Sequence, residues 1–127
     1  MAIGKMRHEV DPRVEIMRQL VDLKQVDVFN DMVLVAVYER PSKTASGIIL
    51  ASQTKDEDKY QGKAALIVKL GPLANIEKDT RGGALAVGDW IAIRPSDGWP
   101  LNINQKLCRL ISEKGVHLRI PSPDAVY

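Results

Sequence analysis

The chain has 127 residues, with 18 Lys and Arg against 16 Asp and Glu for a formal net charge of +2. This length sets one compact domain with a modest core and an appended arm, and the interspersed signs, five of each within residues 1–30, speak against a basic arm for nucleic acid or anionic lipid. The single cysteine, Cys108, excludes an intrachain disulfide; with no stretch apolar enough to span a bilayer and no secretory run at the N-terminus, a cytoplasmic protein is expected.

Asp11-Pro12 reads as a helix start, with Asp as N-cap and Pro at the first helical position. Val14, Met17, Leu20 and Val21 then share one helical stripe as far as Asp22 or Lys24. A helix this short needs a surface to pack on. That surface is either the domain's own core or a neighbouring subunit or other protein, which would make the segment a docking arm.

From Val26 onward the pattern is that of strands. Val33-Leu34-Val35-Ala36-Val37-Tyr38 is apolar without alternation, as expected of a strand buried on both faces. Ala64 to Val68 and Trp90 to Ile93 read the same way. Leu107 to Ile111 and Val116 to Ile120 alternate more clearly; in the second, Val116, Leu118 and Ile120 should face in, with His117 and Arg119 facing out. Gly71-Pro72, Gly82-Gly83, Gly88-Asp89, Asp97-Gly98 and Lys114-Gly115 punctuate these runs as turns. Short strands so separated predict a small all-β barrel.

Between the first two strands lies a polar stretch, residues 40–60, that carries an apolar triplet at its centre. Arg40-Pro41-Ser42-Lys43-Thr44 precedes Gly47-Ile48-Ile49-Leu50, and Ser52 to Lys59 follows it. Aliphatic side chains in such surroundings gain nothing from water, so a partner's groove is one natural destination. The other is an ordinary core strand, with Gly47 ending a hairpin.

Nothing in the residues points to catalysis, a cofactor or a metal. His8 and His117 have no local ligand partners. Cys108 sits in a strand pattern and reads as a small core residue, not a nucleophile. Asp56-Glu57-Asp58 lacks the alternating ligand spacing of a calcium loop and reads as a solvated face between Lys55 and Lys59. Gly82-Gly83 has no Lys-Ser/Thr after it and serves a turn. Trp90 should pack in the barrel, whereas Trp99, between Gly98 and Pro100, is a candidate for exposure or for packing on a neighbour.

Taken in order, these segments resemble the GroES co-chaperonin family across residues 29–120. Asn30-Asp31-Met32-Val33-Leu34-Val35 is similar to its first barrel strand, with Met32 in place of the usual Arg. Thr44-Ala45-Ser46-Gly47-Ile48-Ile49-Leu50 resembles its mobile loop. Gln61 to Val68 is similar to the strand after that loop, Val87-Gly88-Asp89-Trp90-Ile91-Ala92-Ile93 to its Val-Gly-Asp strand, and Leu107 to Ile120 to its closing strands. The resemblance implies a GroES-like β-barrel that assembles as a heptamer and caps a chaperonin ring, with Gly47, Ile48, Ile49 and Leu50 as the chaperonin-binding residues. The N-terminal arm, residues 1–28, and the tail, residues 121–127, exceed the family pattern, and residues 73–86 do not match its roof hairpin in detail. Such departures suit a bacteriophage version, and leave a second expectation open: a virion protein of GroES fold that uses its arm and tail to attach to a phage capsid protein.

Overall fold

Two apolar runs, Met32–Val37 (β1) and Ala64–Leu70 (β2), pair antiparallel at the centre of a six-stranded sheet. The computed structural model describes residues 11–20, 23–40 and 63–126. Trp90–Ala92 (β3), Trp99–Ile103 (β4), Lys106–Ser112 (β5) and Arg119–Ile120 (β6) complete the sheet in the order β4-β5-β1-β2-β3-β6, every pair antiparallel. The register slips between Leu34 and Val35, which face Lys69 and Ile67, so Val68 is a bulged residue that sharpens the bend of β2. The all-β expectation holds.

Both faces of the sheet are covered, which is why β1 and β2 lack polar alternation. Leu34, Ala36, Tyr38, Leu66, Trp90 and Cys108 lie in one buried cluster with Ile16, Leu20 and Leu23 from the N-terminal segment. Val33, Val35, Ile67, Ile91, Leu107 and Ile111 lie in the other, with Ala74, Leu85, Ile93 and Val116 supplied by connections. This double coverage also corrects the expected alternation of β5. Leu107, Cys108 and Arg109 are consecutive and all buried.

The predicted helix start is present. In α1 (Pro12–Gln19) the Asp11 carboxylate accepts the Arg13 backbone N–H at 2.9 Å, and Pro12 occupies the first turn, where its missing N–H costs nothing. The helix is shorter than expected, ending at Gln19, and a 3-10 turn follows over Leu23–Gln25. Its inward stripe is also shifted. Ile16, Leu20 and Leu23 are buried, Met17 is partly so, and Val14 is half exposed. The contact is with the chain's own sheet, and Val126, from the 3-10 turn Pro123–Val126, packs on the same cluster.

Three further differences concern edges and connections. β4 was not foreseen, because Gly98 and Pro100 read as punctuation; at an edge, a proline with no N–H is tolerated. Asn104 and Gln105, at φ +51° and +65°, turn β4 into β5 as a two-residue hairpin. Leu118 was expected inside yet is half exposed, since ladder pairing covers only Arg119 and Ile120. Residues 73–86, which do not match the family's roof hairpin in detail, form turns and a one-turn helix, α2 (Lys78–Arg81).

Candidate functional site

Gly47, Ile48, Ile49 and Leu50 lie outside the described residues, as do His8, Asp56, Glu57 and Asp58. The ends of the segment that carries the triplet are described, and they meet. Val37 and Ala65 are partners in the β1–β2 ladder, and the Tyr38 N–H donates to the Ala64 carbonyl at 2.9 Å. The Ile93 N–H donates to the Lys63 carbonyl at 2.9 Å, so the returning chain is tied to the stretch after β3 as well. Chain departure and return are therefore one strand spacing apart, about 4.8 Å.

An aromatic pair lies beneath this mouth. The Tyr38 ring meets Trp90 edge to face, with centroids 5.7 Å apart at 86°, and both side chains are buried. Such pairs add about 0.5–1.5 kcal/mol beyond the area they bury. Trp90 also sits in register between Leu66 on β2 and Ile120 on β6. Sequence reasoning placed Trp90 inside but gave Tyr38 no role beyond ending β1; an aromatic closing an aliphatic run was the available signal.

At the other end of the sheet, a polar network fixes the segment from Gly71 to Leu85. The Asn75 amide spans the turn, accepting from Leu85 N–H at 2.8 Å and donating to the Leu85 carbonyl at 2.9 Å. Arg81 donates to Asn75 Oδ1 at 2.9 Å, to the Ala74 carbonyl at 3.2 Å, and forms an ion pair with the buried Glu113 carboxylate. Ser112 Oγ bonds Asp31 Oδ2 at 3.0 Å and caps Lys114 N–H at 3.2 Å. Apart from the Ser112 cap on Lys114, these partners lie 6 to 81 residues apart in sequence, beyond the reach of any local pattern.

The residues weighed for chemistry take up structural places. Cys108 is fully buried, and burial pushes its thiol up to about 11 against a weaker opposite pull from Lys106. His117 is exposed beside an open groove, where Arg81 and Arg119 are already engaged by Glu113 and Asp89. Trp99 is 59% exposed on edge strand β4. Among the described residues, no three of His, Cys, Asp and Glu gather as metal ligands would, and no helix is long and apolar enough to cross a membrane.

No curated protein matches the chain. The family model described as Chaperonin 10 Kd subunit matches residues 25–120, which take in all six strands and the segment with the triplet, and the chain belongs to this family of co-chaperonins, non-enzymatic partners of a chaperonin ring.

Proposed function

We infer that the protein caps a chaperonin ring by inserting Ile48, Ile49 and Leu50 into an apolar groove of the ring, and so assists ATP-dependent folding of client proteins. The observation that carries this reading is the family match across a stretch whose ends are pinned together at Tyr38 and Ala64. Burying each aliphatic contributes roughly 1.5–3 kcal/mol, or about 5–9 for the triplet. Ordering the backbone costs on the order of 1–2 kcal/mol per residue, so fixing five residues offsets most of that gain. A single segment therefore binds weakly. A ring of identical segments, heptameric by resemblance, raises avidity by roughly 10²–10⁴ once the first has docked. The ring's nucleotide state then switches capping by moving the grooves in and out of register.

The alternative of a virion protein attached through its arm and tail has less support. Among the described arm residues, Ile16, Leu20 and Leu23 are buried against the chain's own sheet, which leaves Val14 as the exposed large aliphatic of the helix. A pull-down with a bacterial chaperonin, with and without ATP, tests the capping reading. Nucleotide-dependent capture should be abolished by Ile49→Asp while the circular dichroism of the sheet is unchanged. Retained capture by that variant, or none by the parent oligomer, sinks it.

A further inference from the structure

The family match begins at residue 25, so α1 lies in front of the matched core and the 3-10 turn that follows it reaches that core only at its last residue. Yet Ile16, Leu20 and Leu23 share one buried cluster with Tyr38, Leu66 and Trp90. The segment is also tied down at its C-terminal end, and its start lies close to the turn into β3. A Cβ on Gly88, in the turn leading into β3, would meet the Arg13 side chain at 3.9 Å. Further along, Lys69 Nζ on β2 donates to the carbonyls of Leu23, at 2.5 Å, and Val26.

We propose that the N-terminal arm is a brace for the mouth of the chaperonin-binding segment: by covering the cluster around the Tyr38–Trp90 pair it keeps β1, β2 and β3 closed where that segment leaves and returns. The role rests on the capping reading above and adds a set of positioning residues, Ile16, Leu20 and Lys69, outside or remote from the triplet. Its physical basis is the position of Tyr38. The last bond that closes the mouth on the β1 side is donated by the backbone of the residue whose ring is in the arm-covered cluster. With the arm loosened, water reaches that cluster, the ring pair loses its confinement, and the ladder frays inward from Tyr38 and Ala64. Each residue released in this way has to be ordered again on docking, which lowers the binding constant by about tenfold per residue.

The test uses the full-length oligomer and two variants. Lys69→Met removes the clasp and leaves the apolar cluster intact; Leu20→Ala opens the cluster itself. Hydrogen exchange is read at the Tyr38 and Ile93 amides, with the Glu113 and Val116 amides, bonded at the other end of the sheet and outside the arm-covered cluster, as the internal control, and chaperonin affinity is measured in parallel. The expected result is exchange at least about tenfold faster at Tyr38 and Ile93, with Glu113 and Val116 unchanged, and an affinity loss of similar size. Unchanged exchange at the first two amides, or equal acceleration at Glu113 and Val116, overturns the brace. Should Leu20→Ala fail to fold, Lys69→Met decides alone. Exchange needs no chaperonin, so failure of the capping reading shows separately, as absence of binding by the parent protein.

Discussion

Arg109 occupies a strand position that alternation would give to solvent, and the structure buries it. Its guanidinium donates to the carbonyls of Asp97 at 2.7 Å and Pro95 at 2.6 Å, so one strand cation satisfies the acceptors of the turn before β4. Gly98 completes that turn at φ +63°, where an added Cβ would stand 2.2 Å from the Leu110 carbonyl oxygen. Side chain and backbone freedom are thus matched over a few residues. Next to Arg109, Cys108 makes a testable statement about pH. Burial raises its thiol from 9.0 to about 11, so the folded chain holds the proton longer than the unfolded one. Its contribution to stability is fully present below pH 9 and falls as pH rises through 11, because the unfolded chain ionises first. Urea midpoints taken from pH 8 to pH 11 should converge between the parent and Cys108→Ala; parallel curves would show that the thiol does not titrate differently on folding.

At the scale of elements, what could be read from the sequence was whatever local chemistry decides. Asp11-Pro12 specifies a helix start by its own side chain and ring, and unbroken aliphatic runs specify β1 and β2. The end of α1 and its inward stripe depend on where the helix lies over the sheet, which no residue between 12 and 25 encodes alone. β4 was hidden because edge position, a tertiary property, is what permits Pro100 in a strand. The candidate site was legible as a composition contrast in residues 40–60, but its anchor was not, because Tyr38 and Trp90 are 52 positions apart and meet only through sheet pairing. The same holds for α2, a single turn whose place is set by Arg81 and the buried Glu113. Removing one partner of a buried pair strands the other charge. Arg81→Met should therefore cost about 3–5 kcal/mol in denaturant unfolding, and adding Glu113→Leu should recover much of it. A double variant no more stable than Arg81→Met would mean that α2 is held mainly by Asn75.

For the whole molecule, the described segments nearest the two ends, residues 11–20, 23–25 and 123–126, pack on the core. The sheet has two apolar faces, and one of them is covered by α1, the following 3-10 turn and Val126. In a small domain such a face cannot be left to water. Burial of Ile16, Leu20 and Leu23 contributes roughly 1.5–3 kcal/mol each, an upper estimate because unfolded chains already hide some apolar surface. Set against a net stability of about 5–15 kcal/mol for a typical domain, that sum is comparable to the whole. Lys69 adds to it, since its two bonds to the Leu23 and Val26 carbonyls exist only while the arm is docked. Deleting residues 1–25 should therefore lower the denaturation midpoint of the sheet itself, to the point of unfolding or aggregation at ambient temperature, instead of yielding a folded barrel without an appendage. Chemical denaturation followed by Trp90 and Trp99 fluorescence reads this directly, because the first tryptophan is buried beside the arm-covered cluster and the second is exposed on β4. A truncated protein with the parent's midpoint would mean that the sheet closes its own face and the arm only rests upon it.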